Sequence, residues 1–167
     1  MITALDVDQY VDGTQIRALF RGILLGQYFD RVARLVWAQN GQYEYVALQE
    51  VYKSIMFQPQ TFPCAEVNLV RSRNLDPGTD AIRLMHEISL FFHHRGDNEE
   101  QLEDMVNLWL KAARLFFMKE QVYLEEVGLG PIKLGDDSFS PFVAAAEYNA
   151  RPFIKSGLLT LELENIY

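Results

Sequence analysis

Any chemistry in this chain would have to come from three histidines, one cysteine and scattered serines and acidic pairs. His86, His93 and His94 are the obvious metal-ligand types. His93 and His94 are consecutive, so in an extended strand they point to opposite faces and do not share an ion. His86 falls on the apolar parity of its segment, which suits a hydrogen-bonded core or interface histidine. No H-E-x-x-H, C-x-x-C or spaced carboxylate cluster accompanies them. Gly128-Leu129-Gly130-Pro131 lacks the glycine and lysine pattern of a phosphate loop and reads as a turn. Ser138 and Ser156 lie outside any G-x-S-x-G nucleophile elbow. Glu99-Glu100, Glu125-Glu126 and Asp136-Asp137 are consecutive acids, the mark of solvated faces and caps. The expectation is a non-enzyme with no catalytic, cofactor-binding or metal residues and no cofactor.

The composition bounds the rest. At 167 residues, 49% hydrophobic, with 11 Phe, 8 Tyr and 2 Trp, the chain can bury a core within a single domain, 1–167. Its 15 basic and 23 acidic residues give a net charge of −8, which argues against a surface built to grip nucleic-acid phosphate. The same balance does not exclude a protein lining a path that DNA travels, though acidity of this size more often serves solubility. One cysteine, Cys64, excludes an internal disulfide framework and reads as a small buried residue. The apolar runs fall well short of the roughly 20 residues that cross a bilayer, and no secretory leader opens the chain, so no membrane partner is expected.

The elements that would position these groups centre on 81–117. Ile82, Leu84, Ile88, Leu90 and Phe92 share one parity, the signature of a strand buried on one side. His93 to Asp97 reads as a turn. Leu102, Met105, Val106, Trp109, Ala112, Ala113 and Phe116 then follow helical spacing, with Asp97 as the expected N-cap and Glu100 reaching back. Upstream, Thr14 is the expected N-cap of a helix whose apolar positions run from Ile16 to Val36, with Gly22 and Gly26 inside it. A second helix is expected over 43–56, ended by Pro59 and Pro63. Cys64 to Val70 reads as a strand, and Arg71 to Asp80 as a projecting loop turned by Asp76-Pro77-Gly78. Further on, 121–127 is a candidate strand, 128–137 a turn region, and 141–148 either strand or helix. A final strand is expected from Arg151, with Phe153, Leu159, Leu161 and Leu163 inward and Glu162 and Glu164 outward. The fold class is α+β: a small, mainly antiparallel sheet packed by an N-terminal helical segment (about 14–57) and one long central helix within a core of about 60–164.

The strand–polar turn–helix unit, His86-Glu87-Ile88-Ser89-Leu90-Phe91-Phe92 through His93-His94-Arg95-Gly96-Asp97 into an acidic-starting helix with Leu110-Lys111-Ala112-Ala113-Arg114-Leu115, resembles the tail-terminator (tail-completion) proteins of long-tailed bacteriophages. Gly157-Leu158-Leu159-Thr160-Leu161-Glu162-Leu163 is similar to that family's last strand. The resemblance covers about 60–164 and rests on pattern and order. The N-terminal half is longer than the family's and does not align with it.

The resemblance implies a structural virion protein, assembled in the host cytoplasm, that forms a homo-oligomeric ring, commonly hexameric. The ring would sit on the finished tail tube, stop its polymerisation and receive the head-completion (neck) proteins, with DNA passing through its lumen without specific binding. Such a ring needs one patch on each subunit to meet a different patch on the next. Candidate interface residues are Arg71, Arg73 and Asp76 in the loop, and Phe91, Phe92, His93, His94 and Arg95 at the strand end. Like-charged subunits also need local pairing, for which Arg83 and Arg95 are available. Another neck or connector protein, a small cytosolic α+β enzyme and a cytosolic adaptor are the alternatives.

Overall fold

In the computed structural model the described residues are 1, 12–54, 59, 61–75, 83–139, 143–146 and 150–166, the last two segments partly by backbone alone. The elements run α1 (Gly13–Leu24), α2 (Gln27–Asn40), β1 (Glu50–Tyr52), β2 (Cys64–Asn74), β3 (Arg83–Gly96), α3 (Glu99–Lys119), α4 (Gln121–Glu126), β4 (Ile132–Phe139), β5 (Val143–Ala146) and β6 (Ala150–Ile166). The expected α+β class holds.

The spine of the sheet is the β3–β6 pair, in which all 14 residues of β3 are registered, from Arg83 opposite Ile166 to Gly96 opposite Phe153. The strand order is β1-β2-β3-β6-β4, with β5 also pairing β6. Every pairing is antiparallel except β1 with β2. On β3 the buried positions Leu84, His86, Ile88, Leu90 and Phe92 alternate with half-exposed ones over most of the strand. The alternation expected from the sequence is therefore present, and the strand continues through His93 to Gly96. The turn is only Asp97 and Asn98.

The helices cover one face. Trp109 of α3 lies parallel to Phe92, with ring centroids 6.0 Å apart, and meets Trp37 of α2 at 4.6 Å. Phe29 stacks on both Phe92 and Trp109. Such aromatic pairs each contribute about 0.5–1.5 kcal/mol beyond area burial. Gly157 is directly opposite Phe92, and a Cβ there would stand 2.5 Å from Val106 Cγ1. The close approach of α3 to β6 therefore depends on the missing side chain.

Several expected elements differ. The single N-terminal helix is two. Asp12, not Thr14, caps α1, accepting from the Gln15 N–H at 2.9 Å while the Gln15 side chain accepts from Asp12 N–H at 2.8 Å. A carboxylate with glutamine three residues on satisfies two free donors at once. The run breaks at Leu25, and Gly26 becomes the N-cap of α2. Its buried positions step from Leu24 to Phe29, a five-residue interval that one helical stripe does not accommodate. Gly41, at φ +70°, ends α2 in the left-handed conformation.

The described part of 43–56 contains no helix. It is extended, with β1 at Glu50–Tyr52, because its tyrosines reach outward to the helices. Tyr45 packs on Trp37 and donates to Asp30 at 2.6 Å, while Tyr43 donates to Asp104.

Residues 71–74 belong to β2 rather than to a loop, and the Asp76-Pro77-Gly78 turn lies outside the described residues. Asn98, not Asp97, caps α3, accepting from Gln101 N–H at 3.2 Å. Residues 121–126 are a short helix, not a strand. Much of the expected turn region is β4, whose register slips between Leu134 and Asp137 and so absorbs Gly135 and Asp136 in a bulge.

Candidate functional site

The face of the sheet opposite the helices carries the chemistry-bearing residues. Because β3 alternates, Met85, Glu87, Ser89, Phe91, His93 and Arg95 share this face. The register adds Glu66, Arg71 and Arg73 from β2, and Ser156, Leu158, Thr160, Glu162 and Glu164 from β6. Two regions follow, one sealed and one half-exposed.

At the sealed end Glu66 is 2% exposed, and its Oε2 lies 3.0 Å from His93 Nε2. His93, itself 9% exposed, hydrogen-bonds the Ser156 hydroxyl through Nδ1. Cys64 sits in register with His93 on the same face and is fully buried. Burial, with the Glu66 and Glu50 carboxylates, pushes its thiol up to about 12, so the sulfur stays protonated and is a poor nucleophile. Arg95 lays its guanidinium over the Phe62 ring at 5.9 Å, bringing the segment before β2 to this end.

At the other end three arginines and three glutamates form a ladder. Arg71 Nε donates to Glu87 at 2.6 Å, Arg83 Nε to Glu164 at 2.8 Å, and Arg73 lies 3.7 Å from Glu162. These side chains are between about a quarter and two thirds exposed. Each pair is therefore worth little to the monomer, on the order of 0–1 kcal/mol. Between the two ends, Phe91 is directly opposite Leu158, both half-buried.

The expected interface residues are thus divided. Arg71 and Arg73 are on this face, but as strand residues in ion pairs. Asp76 lies outside the described residues. Phe91, His93 and Arg95 are on the face, with Phe91 stacked on His93 at 6.2 Å. Phe92 is fully buried in the core and is no contact residue. His94 shares the helix-side parity, and burial lowers its pKa, against a backbone hydrogen bond with Arg95 that raises it. His86, 2% exposed, is hydrogen-bonded through Nδ1 to Ser72 Oγ at 2.6 Å, and burial lowers its pKa too. The core reading of His86 and the opposed faces of His93 and His94 both hold. Arg83 pairs with Glu164 of its own chain, whereas Arg95 meets an aromatic ring.

Among the described residues no group of three or more His, Cys, Asp or Glu side chains is placed to hold a metal, and no helix is long and apolar enough to cross a membrane. Glu66 and Ser156 were not among the expected site residues. Glu66 interrupts an otherwise apolar strand start, and that interruption was the available signal. No protein-family model matches this chain, and no curated protein matches it in sequence.

Proposed function

We propose that this chain is a structural protein of the bacteriophage head–tail junction, a ring-forming subunit that terminates the tail tube and receives the head-completion proteins. One observation carries the reading. The two segments that resemble the tail-terminator family, 86–118 and 157–163, are neighbours here: β6 lies along the whole of β3, and α3 packs on both. They form one unit, as segments selected together would. A half-exposed, charge-paired sheet face supports it further, since a ring subunit must offer surface for contact. Purified protein would be measured by size-exclusion chromatography with light scattering, then added to growing tail tubes. A multimer that caps them is expected; a monomer that leaves tube growth unchanged defeats the proposal.

The Glu66–His93–Ser156 chain favours a second reading. Carboxylate, imidazole and hydroxyl occur in the order used for acyl transfer. Ser156, however, sits mid-strand, and Glu66 is placed on Nε2, with the hydroxyl on Nδ1. Stoichiometric labelling by a fluorophosphonate, lost in Ser156→Ala, would establish that reading in place of the first.

A further inference from the structure

We infer that the ladder half of the open sheet face is where a second copy of this chain docks. The inference rests on the ring reading above and names the surface it uses.

Charge pairing on this face lowers the repulsion that an approaching copy meets there. The chain carries −8, so two copies repel over most orientations. Arg71, Arg73 and Arg83 cancel Glu87, Glu162 and Glu164 within one patch. With Lys133 beside Glu162 the patch carries no excess negative charge, and the acidic surplus lies elsewhere, for example on the exposed Glu99, Glu100, Glu103 and Asp104 of α3. A patch of alternating sign also offers complementary contacts to another copy's charged side chains, which favours specific pairing over loose adhesion.

Shape adds to charge. A depression of about 240 Å³ opens on the face, lined in part by Glu87, Lys133, Thr160 and Glu162. Gly135, in the β4 bulge, keeps it open, because a Cβ there would stand 2.3 Å from Thr160 Oγ1. Its rim presents Glu87 and Glu162 together with their cations Arg71, Arg73 and Lys133, so an incoming copy meets both signs of charge there. The Phe91–Leu158 pair supplies apolar contact beside it. Charged groups around a small aromatic and aliphatic centre are the usual anatomy of a protein interface.

Cysteine footprinting tests this directly, since the buried Cys64 gives little background. Leu158→Cys and, as control, Glu125→Cys on exposed α4 are labelled with a maleimide at concentrations below and above assembly, as fixed by light scattering. The expected result is labelling of Cys at 158 slowed at least about tenfold on assembly, with the control unchanged. In parallel, Glu162→Arg, folded by circular dichroism, is expected to shift assembly to at least about tenfold higher concentration. Multimers in which position 158 labels as fast as in the monomer overturn the docking face and leave the ring reading standing. A wild-type chain that stays monomeric at every concentration overturns both.

Discussion

The His93 imidazole stands 3.0 Å from a Glu66 carboxylate that is 2% exposed, at the sealed end of a sheet face whose other end is half-exposed. A carboxylate removed from water is tolerated only with partners in place. Replacing His93 by Leu removes the imidazole nearest that buried carboxylate, and is expected to cost about 1–3 kcal/mol. Replacing both residues by Leu is expected to cost less than the sum of the single changes. Urea unfolding of the four proteins checks this; additive costs would show the two side chains to be uncoupled.

A side chain at position 157 should be costly out of proportion to its size. The Cβ of Gly157→Ala would approach Val106 Cγ1 to 2.5 Å and Leu110 Cδ1 to 3.0 Å. Overpacking of this kind costs about 1–3 kcal/mol, and pairing with Val106→Ala is expected to recover part of it. A Gly157→Ala protein as stable as the wild type would mean that α3 does not approach β6 so closely.

The start of α1 separates two residues by mutation. Asp12→Ala is expected to lose about 1 kcal/mol with the reciprocal cap, while Thr14→Ala is expected to change stability by less than about 0.5 kcal/mol. Thermal unfolding of both variants decides between them, and the opposite ranking would place the cap at Thr14.

Acid should weaken the fold through two histidines. Burial holds His86 and His94 below the ordinary 6.5. The unfolded chain therefore binds protons at a higher pH than the folded one does. Their contribution is complete above about pH 6.5 and is lost progressively as pH falls below it. Urea midpoints taken between about pH 8 and pH 5 should fall toward acid, and a His86→Asn/His94→Asn variant should fall less. Equal slopes for the two proteins would assign the acid sensitivity to other groups.

Much of the scaffold was legible because β3, β6 and α3 have undiluted periods. Leu159, Leu161 and Leu163 alternate with Glu162 and Glu164, and the α3 stripe from Leu102 to Phe116 is broad. Legibility failed where two principles compete. Ile16 to Val36 looks continuous until the step from Leu24 to Phe29 is set against Gly26. Tyr43 and Tyr45 have helical neighbours, yet their hydroxyls bond Asp104 and Asp30 on other elements. Gly135 and Asp136 look like a turn because a bulge interrupts the alternation of β4. At the candidate site, Arg71-Ser72-Arg73-Asn74 resembles a loop because the outer end of β2 is largely solvent-facing and polar. Its ion pairs with Glu87 and Glu162 depend on register, which no local pattern encodes.

The most direct measurement of the central claim is the mass of the native particle by light scattering, with tail-tube length read in the same preparation. The account predicts a discrete multiple of the 19.3 kDa chain and tubes that stop growing once it is added. A particle of one chain mass at every concentration, with tubes that lengthen unchecked, would contradict it.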